Sequence, residues 1–301
     1  MREFLLQNEY GQTISLMARI PVTSPLGNTP MMFGGIMLTS PSGWGFENDY
    51  DFNEVDGFYI TTKKKTKQVP KPCTLVFMPP DAYSNFKQFV DFVMSAKKLT
   101  LMYKPAGTWY FVDVVISRIS KGELTGTRCL ECETVFLPTT PIYSLSTERL
   151  HIEPAGAEDG KKYDYTYPYR YVDNAIASEV VIEPQGQLPG GFQITMPGPI
   201  SAPVITFTDL VTNQQIGRLD LSAASIVAGQ KIRYSNIPTE AGVVTIESDG
   251  SEVDMSASIG LSAMLPTFFM LPLDRVRAHL DATSMETAEA ELRLYRYYKA
   301  V

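Results

Sequence analysis

The sequence predicts a mainly β protein with one helix: a small α+β unit followed by an antiparallel β-sandwich. Three observations predict it. A single stretch carries a clear helical period, with Phe86, Phe89, Val90 and Val93 at the i, i+3, i+4, i+7 positions of one buried face. In the second half, short runs of strand formers recur between Gly, Pro and Asn turn signals, the pattern of a sandwich. Between these two styles, Pro154 to Lys162 is small, charged and glycine-bearing, as a linker is. The domains are therefore read as 1–153 and 163–301, joined by 154–162.

The elements follow in order. Glu3 to Ala18 reads as two short strands around a turn at Gly11. Arg19 to Met37 has no period and reads as an ordered loop, with Met31, Met32, Phe33 and Ile36 packing against something. Phe46 to Phe52 and Phe58 to Thr62 are strands, the second opened by Gly57. The lysines Lys63, Lys64, Lys65 and Lys67 follow, and Pro70 and Pro72 lead to the apolar run Cys73 to Met78. Asp81 is placed to cap the helix. Asn85, Lys87, Gln88 and Asp91 form its polar face, and Lys97 and Lys98 suit the negative end of the helix dipole. Leu99 to Tyr103, Trp109 to Ser117 and Cys129 to Leu137 are further strands, and Tyr143 to Ile152 is extended.

Beyond the linker, Tyr163, Tyr165, Tyr167, Tyr169 and Tyr171 alternate strictly, which places five rings on one face of an extended chain. Strands are then read at Glu179–Ile182, Gly191–Met196, Val204–Thr208 and Gln215–Leu221. Others follow at Gln230–Tyr234, Gly242–Ile246, Ser251–Met255 and Thr267–Leu271, and Arg275–Ala282 with Ala290–Lys299 closes the series.

Composition narrows the function. The chain has 301 residues, 44% hydrophobic and 20% charged, as expected of a globular protein of two domains. No apolar run approaches the roughly 18–20 residues of a membrane span, and Met1 to Asn8 does not read as a signal peptide. A net charge of -7 argues against a protein that coats nucleic acid. Three cysteines argue against a disulfide scaffold and for a reducing compartment.

No constellation reads as chemistry. Asp49, Asp51, Glu54 and Asp56 lie close together, but they punctuate a turn and a strand entry and read as solvated surface. His151 and His279 have no partner spacing, and Cys129 and Cys132 form a C-x-x-C without a second pair. There is no G-x-S-x-G elbow and no phosphate-binding loop. No catalytic residue, metal ligand or cofactor is therefore assigned. The lysine cluster fits a solvated hairpin end or an acidic neighbouring subunit better than nucleic acid, because it lacks interleaved aromatics. The tyrosine alternation fits either a sugar-stacking platform or a strand packing its rings on a neighbouring domain or subunit.

Two stretches together carry a family resemblance. One runs from Pro41-Ser42-Gly43-Trp44-Gly45-Phe46-Glu47 through Lys63 to Phe77, the helix and Leu99 to Tyr103. The other is Gly186-Gln187-Leu188-Pro189, then Ile194 to Ile205 with its Gly198-Pro199-Ile200-Ser201-Ala202-Pro203-Val204-Ile205 segment, then Gly229 to Ile232 and Phe268 to Pro272. In this order they resemble the distal tail proteins of long-tailed bacteriophages. The resemblance implies a virion-tail subunit assembled in the host cytoplasm, with an N-terminal six-fold ring domain and an outer galectin-like sandwich. It implies partners too: other copies of the chain, the tail tube protein above, the hub below, and peripheral baseplate or receptor-binding proteins outside. Composition and charge, as read above, add no specific nucleic acid and no membrane to these partners. Trp44, Phe46 and Phe58 are the expected ring contacts, with Tyr163 to Tyr171 as a second interface. A saccharide-binding module acting directly in host recognition is the alternative.

Overall fold

A computed structural model of the chain describes residues 2–18, 24–26, 35–151, 153–154, 176–183, 186–238, 240–260, 266–282, 284–285 and 289–301. The chain divides into two compact units, one of Met1–Ser144 with Tyr298–Val301 and one of Leu145–Tyr297. Among the described residues there is a single α-helix, and no helix is long and apolar enough to cross a membrane.

The first unit begins with the expected hairpin, β1 (Glu3–Asn8) and β2 (Thr13–Ser15), turning at Gly11 with φ 77°. Next come β3 (Met17–Ala18), β4 (Ile36–Thr39), β5 (Asn48–Val55), β6 (Phe58–Thr66) and β7 (Lys71–Phe77). After helix α1 (Ala82–Ser95) come β8 (Leu99–Lys104), β9 (Tyr110–Leu124), β10 (Leu130–Pro138) and β11 (Ile142–His151), of which residues 142–144 belong to this unit. Ile36, expected in a loop, instead opens β4 and lies opposite Phe77; Met31, Met32 and Phe33 fall outside the described residues.

Antiparallel pairing runs β1–β8–β9–β10–β7–β4–β3. The path then returns to its start. The Leu16 amide donates to the Phe4 carbonyl at 3.0 Å, and the Leu38 amide to the Leu16 carbonyl at 2.9 Å, so residues 13–18 bridge β1 and β4. Closing the sheet on itself leaves those strands without free edges. Leu6, Ile14, Leu75, Val112 and Phe136 are buried in its core.

Helix α1 covers one side with Phe89 edge-on to Phe77 at 5.7 Å. Its buried stripe is Ala82, Asn85, Phe89 and Phe92, turned from the expected one. Asn85 goes inward because its amide donates to the Met78 carbonyl at 3.2 Å, satisfying the turn before the helix. Asp81 sits at the N-cap but makes no side-chain capping bond. Lys97 and Lys98 lie beyond the last turn, and their backbone amides are held by the two carboxylate oxygens of Glu9, at 2.9 and 3.2 Å.

The second unit contains β12 (Glu153–Pro154), β13 (Ile176–Ile182), β14 (Leu188–Pro197), β15 (Ile200–Ser201), β16 (Val204–Asp209) and β17 (Gln214–Asp220). It continues with β18 (Ser225–Ile226), β19 (Lys231–Ser235), β20 (Gly242–Ile246) and β21 (Glu252–Asp254). The last are β22 (Val276–Ala282), β23 (Ser284–Met285) and β24 (Glu289–Tyr298). Two antiparallel sheets face each other here, β21-β20-β19-β14-β24 and β12-β13-β22-β16-β17. Phe192, Ile194 and Tyr234 from one and Ile205, Phe207 and Leu280 from the other share one buried core. This is the expected sandwich.

The run Thr267–Leu271 is not a strand; only Leu271 bridges, to Gly190. Phe269 instead inserts between Phe192 at 5.3 Å and Phe207 at 5.1 Å, over Gly217, where a Cβ would overlap its ring. Within the Gly198-Pro199-Ile200-Ser201 segment, Ile200 and Ser201 form β15, the middle of a small sheet with β18 and β23.

Candidate assembly surface

Among the described residues, strands β5 and β6 pair only with each other. Their turn, Asp56-Gly57, has φ 51° and 83°, the two positive values that a type I′ hairpin needs. The structure changes the reading of the lysines. Lys63, Lys64 and Lys65 do not follow the strand but belong to it. Every residue from Asp49 to Thr66 is exposed, so neither face has to be apolar and the strand runs on through the lysines.

The register sorts the hairpin into two zones. Near its root, acids of β5 face lysines of β6: Asp49 opposite Lys65 and Asp51 opposite Lys63, with Tyr50 opposite Lys64. The Lys64 ammonium lies 5.5 Å from the Tyr50 ring centre, and Tyr50 stacks on Phe52 at 5.9 Å. Towards the tip the partners turn apolar, with Val55 opposite Phe58 and Glu54 opposite Tyr59. Phe58 is 74% exposed and Tyr59 71%. Phe52, Val55 and Ile60 are exposed beside them. A lone two-stranded hairpin is marginal in water, and this one shows solvent large apolar side chains on both of its faces.

The root, in contrast, is held firmly. Lys67 pairs with Asp49 at 2.8 Å and Glu47 at 3.0 Å, and these hydrogen bonds, Asp49 first, hold its ammonium above the ordinary lysine range. Gln68 donates to the Pro138 carbonyl. Gly43 has φ 78°, and a Cβ there would overlap the Pro70 carbonyl oxygen. Lys71, only 4% exposed, donates to the Gly43 carbonyl at 2.8 Å and lies 4.5 Å from the Trp44 ring centre. Burial pushes its ammonium down from 10.5 to about 8. The Val301 amide donates to the Trp44 carbonyl at 3.3 Å.

The expected contact residues thus fall in different settings. Phe46 and Phe58 are exposed on and beside the hairpin. Trp44 is half-buried at the root, 4.3 Å from Tyr103 and 6.1 Å from Phe4, and its indole nitrogen is buried without a partner. Tyr163, Tyr165, Tyr167, Tyr169 and Tyr171 lie outside the described residues, as do residues 155–162 of the expected linker. Sequence reasoning missed Tyr59, Ile60 and Phe52 as surface residues, although the Asp56-Gly57 turn marked the tip they flank.

The chemical candidates do not converge. Asp49, Asp51, Glu54 and Asp56 lie along the exposed ribbon and share no cleft. Cys73, Cys129 and Cys132 are free thiols, and burial pushes Cys73 up to about 12. His279 contacts Asp281 at 3.1 Å on the outside of the sandwich. Among the described residues no group of three His, Cys, Asp or Glu is placed to hold a metal.

Residues 3–139 match the family described as distal tail protein, N-terminal domain. No curated protein matches the chain. Among solved structures, a chain from the phage P2 baseplate in its activated conformation with Ca is 12% identical, each chain covered in full, with a TM-score of 0.67. The same baseplate with Sr gives 12%, again over both full chains, and 0.66. The Dit protein of SPP1, described as a paradigm of the hub adsorption apparatus in phages infecting Gram-positive hosts, is 9% identical over 97% of this chain and 98% of its own, with a TM-score of 0.52. At these identities the likeness is one of fold, and it extends along the whole chain.

Proposed function

We propose, from the premise that residues 3–139 belong to the distal tail protein N-terminal domain family, that this chain is a structural subunit of a phage tail baseplate. Its N-terminal domain, residues 1–153, forms a six-fold ring that joins the tail tube to the hub. Its C-terminal domain, residues 163–301 beyond the link at 154–162, is a galectin-like platform for peripheral baseplate or receptor-binding proteins. The chain works by assembly, and its role is structural rather than catalytic. Its place is the virion tail.

One observation carries this reading: the β5–β6 hairpin, exposed along its length and tipped with Phe58, Tyr59 and Ile60. A surface of this kind on an otherwise well-packed unit marks a protein interface. A ring needs two different surfaces on each subunit, and a projecting hairpin that docks on the next subunit supplies one of them. The test is reconstitution of the purified chain with the tail tube and hub proteins, imaged in negative stain. Six-fold rings bound to both partners are expected. A chain that binds neither partner and stays monomeric in their presence overturns the reading. No described residue favours direct saccharide binding, since the tyrosine run that suggested it lies outside the described set.

A further inference from the structure

The hairpin segregates its charge by strand. Asp49, Asp51 and Glu54 are on β5, and Lys63, Lys64 and Lys65 are on β6. Both outer edges of this two-stranded sheet are unpaired among the described residues. The cross-strand acids and lysines, Asp49 opposite Lys65 and Asp51 opposite Lys63, face each other in register, yet no ion pair forms between them. Asp49 turns to Lys67 instead. The ammonium groups of Lys63 and Lys65 are thus left to solvent.

Two ways of joining such edges differ sharply in energy. A two-fold along the hairpins sets a strand parallel to its own copy at the same height, lysine beside lysine or acid beside acid, which is repulsive. A rotational array behaves differently. Rotation about an axis along the hairpins keeps every β5 pointing one way and every β6 the other. The β6 of one copy then lies antiparallel to the β5 of the next, and lysines meet acids at every junction as they do inside the hairpin. Charge segregation therefore selects the head-to-tail geometry that closes rings and disfavours the two-fold dimer.

We infer that the hairpin's occupant is the hairpin of a second copy of this chain, with the lysine strand β6 of one subunit laid antiparallel on the acidic strand β5 of its neighbour. This rests on the ring reading and deepens it by naming the joining strands and their order. The exposed edges supply main-chain hydrogen bonds, the opposed charges set register and direction, and the apolar tips come together at one end of the array.

Charge reversal tests it. In D49K/D51K both strands are basic, and in K63E/K65E both are acidic. Each alone is expected to lose association about tenfold or more against the parent, because every junction becomes like-on-like. Mixed one to one, the two variants are expected to co-assemble with both chains in equal numbers, which native mass spectrometry reads directly. The combined swap D49K/D51K/K63E/K65E restores opposite edges and is expected to assemble alone. Either reversal assembling alone as the parent does, or a mixture that stays monomeric while the parent assembles, overturns the inference and leaves the ring reading standing. A parent that stays monomeric with tube and hub proteins present removes both. Circular dichroism of each variant confirms that the closed sheet is folded, since these positions lie outside its core.

Discussion

Replacing Lys71 by methionine tests how the hairpin root is held, and its magnitude follows from the structure. The ammonium is buried, bonded to the Gly43 carbonyl and set over Trp44, and its value is lowered from 10.5 to about 8 by burial alone. Each pH unit of such a gap is worth about 1.4 kcal/mol, so at neutral pH holding the charged form in the fold costs about 3 kcal/mol. The sign is fixed by which state binds more protons. Between about pH 8 and 10.5 the unfolded chain keeps the lysine protonated while the folded chain has released the proton. Stability therefore rises with pH across that window, and below about pH 8 the full cost is present. Linkage gives a gain of about 2 kcal/mol between pH 7 and pH 9.5 that K71M lacks. At pH 7 the variant sheds the desolvation cost but loses one hydrogen bond and one cation–π contact, about 1 kcal/mol each. A net stabilisation of about 1 kcal/mol is expected. The assay is urea unfolding of both proteins at the two pH values, where the difference between them isolates Lys71 from every other titrating group. If K71M and the parent keep the same difference at pH 7 and pH 9.5, or K71M is less stable by more than about 2 kcal/mol at pH 7, burial is not what governs this lysine.

Three further outcomes are expected. Gly43→Ala meets both a positive φ and the Pro70 carbonyl, so it lowers stability by about 2 kcal/mol or more in urea unfolding, whereas Gly45→Ala, with open space around it, changes little. Trp44→Ala strips the half-buried ring from Phe4 and Tyr103 and should destabilise the isolated subunit by about 2–3 kcal/mol in thermal unfolding. A subunit that melts unchanged but fails to assemble would make Trp44 a contact residue instead. Phe58→Ala, at an exposed tip, should leave subunit melting untouched and weaken self-association by about 2 kcal/mol in sedimentation equilibrium.

The sandwich was the most legible part of the sequence. Strands β14, β16, β19, β20 and β22 alternate between a buried and an open face, and that alternation is a local signal. Thr267–Leu271 has the composition of a strand but spends it on a single plug, because Gly217 leaves room for the Phe269 ring. No local pattern distinguishes these two uses of the same residues. Asn85 read as solvent-facing because its type is polar, and only the position of the Met78 carbonyl explains its burial. The hairpin was half legible. Asp56-Gly57 marked the turn, but the lysines hid the length of β6, since a ribbon exposed on both faces carries no hydrophobic period. The surroundings of Trp44 depend on Phe4, Tyr103 and Val301, far away in the chain, and the return of Tyr298–Val301 to the first unit leaves no trace in composition.

The most direct measurement compares the parent with a variant in which residues 48–66 are replaced by a short Gly-Ser turn, each weighed by light scattering after gel filtration in low salt with the tube and hub proteins present. The account predicts closed rings for the parent, and for the variant a monomer whose circular dichroism still shows the folded closed sheet. Rings of the same mass from both proteins would contradict it.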